Sequence, residues 1–167
     1  KGDKQDFVIQ KATELGVSAV VPVVCQRSVP QLGEERAEKR QQRWTRIALG
    51  AAQQCRRPDV PAILLPTPLA AAVQDTAATD GAVLSLLLYE GPAAPLHALL
   101  PAATAELPAL SGVRLLVGPE GGFTDAEVSA ATAAGFLPAS LGPRILRAET
   151  AAIAAIGVWM AANGDWA

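Results

Sequence analysis

Apolar positions along the chain follow two rhythms in alternation. Val8, Ala12 and Leu15 recur at helical spacing beside the row Phe7, Lys11, Glu14, and Gly16 stands where a left-handed residue would stop the helix, so Lys4 to Leu15 is predicted helical. Ser18 to Cys25 (SAVVPVVC) is a β-branched run in which Pro22 points to a sheet edge or a bulge. From Glu34 to about Cys55 the stripe Trp44, Ile47, Ala48, Ala51 and Cys55 opposes Lys39, Arg43, Arg46, Gln53 and Arg57, which makes the longest amphipathic helix of the chain. Pro58, Pro61, Pro66 and Pro68 punctuate the middle around a short apolar run, Ala62 to Leu65, and an Ala-rich helix is expected from Leu69 to about Thr79.

The second half changes character. Ala82 to Tyr89 (AVLSLLLY) is continuously apolar, and Val113 to Val117 and Phe136 to Leu141 continue the series. Short unbroken runs of this kind fit strands of a parallel sheet covered on both faces. Pro92 to Pro108 reads as a connection with a helical turn, Thr124 and Glu127 form a capping box for a helix ending near Gly135, and Glu149 to Ala162 is apolar nearly all round. That last helix must be buried in the core or against a partner. The alternation predicts an α/β fold with a parallel sheet, as a single domain over residues 1–167.

Composition and charge narrow the chemistry. Half of the 167 residues are hydrophobic and the mean hydropathy is +0.25, which suits one soluble domain with a sizeable core. Fourteen Lys and Arg against sixteen Asp and Glu leave a net charge of −2, so any polyanion must be held locally. The place for it is Glu34 to Arg57, where Arg36, Lys39, Arg40, Arg43, Arg46, Arg56 and Arg57 face only three glutamates in sequence. Arginine grips phosphate bidentately, though a solvated helix face produces the same pattern. Cys25 and Cys55 form no CxxC pair and His97 is the sole histidine, so neither a metal site nor a disulfide framework is expected. Both cysteines read as inert core residues and His97 as structural or solvated. No apolar stretch reaches the ~18 to 20 residues of a membrane span, and the expected setting is the cytoplasm. The chain opens at Lys1 without methionine and enters a helical pattern at once, so a preceding segment is expected.

Two elements could carry chemistry. The strand ending at Val117 runs into Gly118-Pro119-Glu120-Gly121-Gly122, and the capped helix starts just beyond. Glycines between a strand end and a helix start let a ligand approach backbone amides, although the spacing fits neither GxGxxG nor GxxxxGK[ST]. The second element, Leu141-Gly142-Pro143-Arg144-Ile145-Leu146-Arg147-Ala148-Glu149-Thr150, sets two arginines and a glutamate at the mouth of an apolar helix. Core packing does not call for charge there, whereas a helix-dipole contact of Glu149 with Arg147 beside it would. No Ser/His/Asp or GxSxG arrangement exists, so acyl transfer is not supported.

Taken together, KGDKQDFVIQKATELGV, the RS of CQRSV, RIALGAAQQCRRPDVP, LLVGPEGGFTDAE and LGPRILRAETAAIAA resemble the RsmE-type ribosomal RNA uridine-N3 methyltransferases of the SPOUT superfamily. The resemblance covers nearly the whole chain. It implies a SPOUT-type parallel sheet flanked by helices with a C-terminal deep trefoil knot, and an S-adenosyl-L-methionine-dependent homodimer acting on N3 of a uridine in small-subunit (16S) ribosomal RNA, without metal or membrane. The resemblance also implies an N-terminal RNA-binding barrel domain, which is not expected within residues 1–167. Carried onto this chain, the resemblance implies a donor site formed by Leu88, Tyr89, Glu90, Val117, Gly118, Pro119, Gly121, Gly122, Leu141, Gly142, Ile145 and Leu146. Glu120, Arg147 and Glu149 are the catalytic candidates, because neutral uracil is a poor nucleophile and its N3 proton needs an acceptor. Arg27, Arg43, Arg46, Gln53, Arg56, Arg57 and Arg144 are the candidates for RNA contact. A SPOUT enzyme for another RNA nucleoside and a non-catalytic α/β RNA-binding module are the competing readings.

Overall fold

A computed structural model describes residues 2–28, 33–74, 82–100 and 110–162. The first helix, α1 (Gly2–Glu14), ends where Gly16 takes φ +91°, and Val17 N–H donates to Ala12 O at 3.0 Å to close it. The Thr13 hydroxyl, fully buried, donates to Ile9 O at 2.8 Å and so enters the core satisfied. Helix α2 (Glu34–Cys55) buries Trp44, Ala48, Ala51 and Ala52 against α1, and the Trp44 indole donates to Asp6 Oδ1 at 3.1 Å.

Pro22 divides the run Ser18 to Cys25. The expected strand is two short ones, β1 (Ala19–Val20) and β2 (Val23–Val24), and each pairs in parallel with a different partner, β3 (Ala62–Ile63) and β4 (Thr67–Pro68). Proline lacks the ladder N–H, but its carbonyl remains useful: Pro22 O accepts from Thr67 N–H at 2.9 Å. Helix α3 covers Leu69–Gln74; the rest of the helix expected up to Thr79 lies outside the described residues. The expected connection from Pro92 to Pro108 is described only to residue 100, with residues 96–100 helical, Leu96 buried and His97 exposed.

The main sheet is wholly parallel, in the order β6-β8-β5-β7, with β5 (Ala82–Leu88), β6 (Ala94–Pro95), β7 (Leu110–Val117) and β8 (Leu137–Ser140). The unbroken apolar runs follow from its two covered faces. Leu84, Leu86 and Leu88 pack on one face with Ala12 of α1 and with Ala155, Ile156, Trp159 and Met160 of the C-terminal helix, α5 (Ala148–Ala162). Leu87 and Leu116 face the other way, onto Leu69 and Val73 of α3 and Ala131 of α4 (Asp125–Ala133). Helix α5 is thus largely a core element of its own chain. Strand β8 is inserted between two strands that the chain makes consecutively, β5 and β6, so that Ala139 pairs with Leu88 on one side and Ala94 on the other.

Candidate functional site at the carboxyl edge of the sheet

Because β8, β5 and β7 are parallel neighbours, the turns that follow them leave the same edge of the sheet side by side, the position where open α/β sheets hold ligands. The first turn, 118–123, is tight. Gly122 has φ +67° and donates to Pro119 O at 2.9 Å, and a Cβ on Gly118 would stand 3.0 Å from the Phe123 ring. Arg27 holds the turn from outside, donating to Gly121 O at 2.9 Å and to Phe123 O at 3.4 Å. The expected capping box at the start of α4 is formed in full: Glu127 N–H donates to Thr124 Oγ1 at 3.3 Å, and Glu127 Oε2 accepts from Thr124 N–H at 2.8 Å. Its other oxygen accepts from Gln26 N–H at 2.7 Å. Burial pushes the Glu127 carboxyl up, but the hydrogen bonds from Thr124 and Gln26, with the nearby Arg27 charge, hold it below the usual carboxylate range. One residue therefore ties the 25–28 turn, the first glycine turn and α4 together.

The second turn follows β5. Tyr89 N–H donates to Ala139 O at 3.0 Å, and Glu90 Oε1 lies 3.1 Å from where a Cβ on Gly122 would be, so this carboxylate stands against the first turn. The third turn follows β8. Gly142 has φ +108° with open space beside it, donates to Ser140 Oγ at 3.1 Å, and leads to Ile145, whose side chain is 80% exposed. Leu141 and Leu146 are half-buried beside it, and Arg147 O accepts from Ala151 N–H at 2.8 Å to start α5.

All three groups of residues expected at the donor site are thus placed at one edge. Within them, Leu88 and Val117 turn their side chains into the core, which leaves their backbone for a ligand. The open backbone at Gly142 together with an uncovered Ile145 suits a ligand with hydrogen-bonding edges and a flat apolar face, as an adenosyl group has. Of the catalytic candidates, Glu120 and Glu149 are brought together and Arg147 is exposed on the loop between them. Lys4, which the sequence reading did not single out, bridges the two carboxylates from α1. Its signal was present in the stretch KGDK, with nothing in the local pattern to say what it would meet.

The basic residues divide. Arg46, Gln53, Arg56 and Arg144 are exposed, Arg43 is exposed but ion-paired with Asp6 of α1, and Arg27 lies at the first glycine turn. Arg57 is different: its side chain is 14% exposed and donates to Thr13 O at 2.7 Å and Val17 O at 3.1 Å, which satisfies carbonyls at the end of α1. Cys25 is buried against the first turn, and burial, aided by the Glu127 charge and opposed by a hydrogen bond from Ser28, pushes its thiol up to about 11. The core placement expected of Cys55 is corrected: it is half-buried, because it falls in the last turn of α2 where the helix leaves the core. Among the described residues, no group of three or more His, Cys, Asp or Glu could hold a metal ion, and no helix is long and apolar enough to cross a membrane.

A parallel sheet with three turns side by side at its carboxyl edge defines an α/β domain of the open-sheet class, whose ligands are met at that edge. The model of the RNA methyltransferase domain matches residues 1–160, and the chain belongs to that family. It is 38% identical over 161 residues to ribosomal RNA small subunit methyltransferase E of Bacillus subtilis, covering 93% of this chain and 60% of the relative. A crystal structure of a ribosomal RNA small subunit methyltransferase E from Neisseria gonorrhoeae bound to S-adenosyl methionine superposes with a TM-score of 0.80 at 35% identity, covering 96% of this chain and 62% of that one. A SpoU methyltransferase from Streptomyces viridochromogenes, at 17% identity and a TM-score of 0.56 over 98% of this chain and 57% of its own, shares the fold. The fold is accordingly the SPOUT α/β arrangement, and the chain spans about three fifths of the length of the curated relatives it matches.

Proposed function

We propose that this domain transfers the methyl group of S-adenosyl-L-methionine to N3 of a uridine in small-subunit ribosomal RNA, as the resemblance implies, and that residues 1–167 form its catalytic unit. The observation that carries the reading is the convergence of the turns 89–91, 118–123 and 141–147 at one edge of the sheet, with two carboxylates beside them. Similarity to a solved relative bound to S-adenosyl methionine supports the same ligand. When bound, the donor supplies a methyl group already activated by its sulfonium. The chain's own work is to orient and to manage a proton. Backbone amides around Gly118, Gly121 and Gly142 hold the donor's polar edges and Leu141, Ile145 and Leu146 its adenine face. The N3 electron pair forms the bond to the methyl carbon, the sulfur keeps the pair of the bond that breaks, and the N3 proton goes to a carboxylate. Glu149 is the acceptor, and Glu120 and Arg147 stand beside the uracil as its charge develops.

The exposed basic set, Arg46, Arg56 and Arg144 with Gln53, meets the RNA backbone, while Arg57 serves the fold. The outward row of α5 around Ala154, Gly157, Val158 and Ala161 is half-buried or exposed and small or apolar, which suits a second copy of the chain. The knotted passage implied by the resemblance is compatible with β8 lying between β5 and β6, and the work takes place in the cytoplasm, where ribosomal RNA is met. The deciding experiment is methyl transfer to small-subunit RNA followed by mass spectrometry of the nucleosides. A 3-methyluridine product supports the reading, a different methylated nucleoside replaces its target, and donor binding without transfer overturns it in favour of a binding module.

A further inference from the structure

The first glycine turn carries Gly118, Gly121 and Gly122 within five residues, a composition that leaves a backbone free to take many shapes. In the fold it has one. Peptide 121–122 is held at both ends: Gly121 O accepts from Arg27 Nη1 at 2.9 Å, and Gly122 N–H donates to Pro119 O at 2.9 Å. Peptide 123–124 is held in the same way, with Phe123 O accepting from Arg27 Nη1 at 3.4 Å and Thr124 N–H donating to Glu127 Oε2 at 2.8 Å. The peptide between them, 122–123, is thereby fixed beside Glu90, whose Oε1 would stand 3.1 Å from a Cβ on Gly122. Arg27 is itself rooted in a closed turn. Ser28 N–H donates to Cys25 O and Cys25 N–H to Ser28 Oγ, each at 3.0 Å, and Gln26 N–H donates to Glu127 Oε1 at 2.7 Å. The arginine stem lies along Gly121, where a Cβ would be 3.1 Å from Arg27 Cβ and 3.5 Å from its Cδ, so a side chain at 121 would displace it.

We propose that Arg27 is a positioning residue for the donor site: one guanidinium group holds the carbonyls of two alternate peptides and so fixes the first glycine turn before the donor arrives. This rests on the functional reading above, and it takes Arg27 out of the set of RNA contacts. A glycine-rich turn that is ordered during folding is not ordered again at binding, so the gain appears as donor affinity. Arginine suits the task because its N–H groups are fixed in one plane, whereas a lysine ammonium turns on a flexible stem. The rival role is a phosphate contact, since the residue is exposed and its Nε and Nη2 make no hydrogen bond among the described residues.

The test compares the unaltered protein with Arg27→Met, which keeps the stem, and Arg27→Lys, which keeps the charge. The position is exposed, so both variants are expected to fold. The first readout needs neither donor nor RNA. Amide hydrogen exchange of Gly122, whose bond to Pro119 O the held turn protects, should quicken about tenfold in Arg27→Met and by less in Arg27→Lys. In the second readout, the dissociation constant of S-adenosylhomocysteine should rise about tenfold in Arg27→Met and about threefold in Arg27→Lys, while the slope of log RNA affinity against log salt stays as it is. Exchange that does not quicken overturns the assignment, and so does a donor affinity changed by less than about twofold with only the urea midpoint lowered, as a merely structural contact would give. A salt slope flattened by about one in Arg27→Met and kept in Arg27→Lys overturns it in favour of the phosphate contact. Should the unaltered protein bind no S-adenosylhomocysteine while Gly122 exchange still quickens in Arg27→Met, the functional reading fails and the hold of Arg27 on the turn stands, so the two failures are distinguishable.

Discussion

Neighbouring residues in this chain with the same side chain do different work, because the backbone aims them differently. Arg56 takes a left-handed conformation, φ 61°, at the end of α2, and the chain turns so that Arg57 reaches the end of α1. Replacing Arg57 by methionine removes two hydrogen bonds from half-buried carbonyls, and an equilibrium urea titration should report a loss of about 2–4 kcal/mol. Arg56→Ala at an exposed site should change the same measurement by less than about 0.5 kcal/mol. The cysteines differ in the same way. With its thiol pushed up to about 11 and buried, Cys25 holds almost no thiolate at neutral pH, so iodoacetamide followed by peptide mass spectrometry should mark Cys55 first. Glu127 provides a pH dependence of known sign. Its carboxyl is held below the usual range in the folded protein, so its contribution is fully present above the unfolded value and is lost as pH falls through the folded one. Thermal unfolding should show Glu127→Gln less stable than the unaltered protein at neutral pH, with the gap closing as the solution is acidified through the carboxylate range.

At the scale of elements, β8 is the most constrained. Ala139 is fully buried and pairs on both sides, so Ala139→Leu has no space to enter and should cost about 1–3 kcal/mol in the urea midpoint, more than the same change at exposed Ala161. Elements of this buried kind were the legible ones. The runs that became β5 and β7 are apolar without alternation because both faces of the sheet are covered, and the Thr124 and Glu127 pair announced α4 through a hydrogen bond local enough to be read from spacing. Strands β3, β4 and β6 are two residues each, too short for any periodicity to register. The split of β1 from β2 was foreshadowed by Pro22 but not its consequence, since pairing partners some forty residues away are set by the fold. From local pattern the candidate site was legible as its two glycine turns, while residues 88–90 entered through the resemblance alone. That Lys4 would meet Glu120, 116 residues distant, and Glu149 further still, depends on α1 and α5 packing on the same face of the sheet, which no local pattern records.

Across the whole molecule, the net charge of −2 sets terms for binding a polyanion. Phosphate contacts release counterions, so affinity for RNA should fall steeply with salt, and neutralising Arg46 and Arg56 together should flatten the slope of log affinity against log salt by about two without altering S-adenosylhomocysteine binding. A salt titration of RNA binding by the double variant checks this, and an unchanged slope would remove the α2 surface from the interface. The place of β8 in the sheet has a further consequence, in the order of events during synthesis. Strands β5 and β6 leave the ribosome in close succession, yet they are not neighbours in the finished sheet, and the slot between them is filled only when residues 137–140 have been made. Until then two of the three turns at the carboxyl edge have no third to stand beside. The carboxyl edge is therefore completed only when residues 137–147 have been made, after every other strand of the sheet, and of the described elements only α5 is synthesised later.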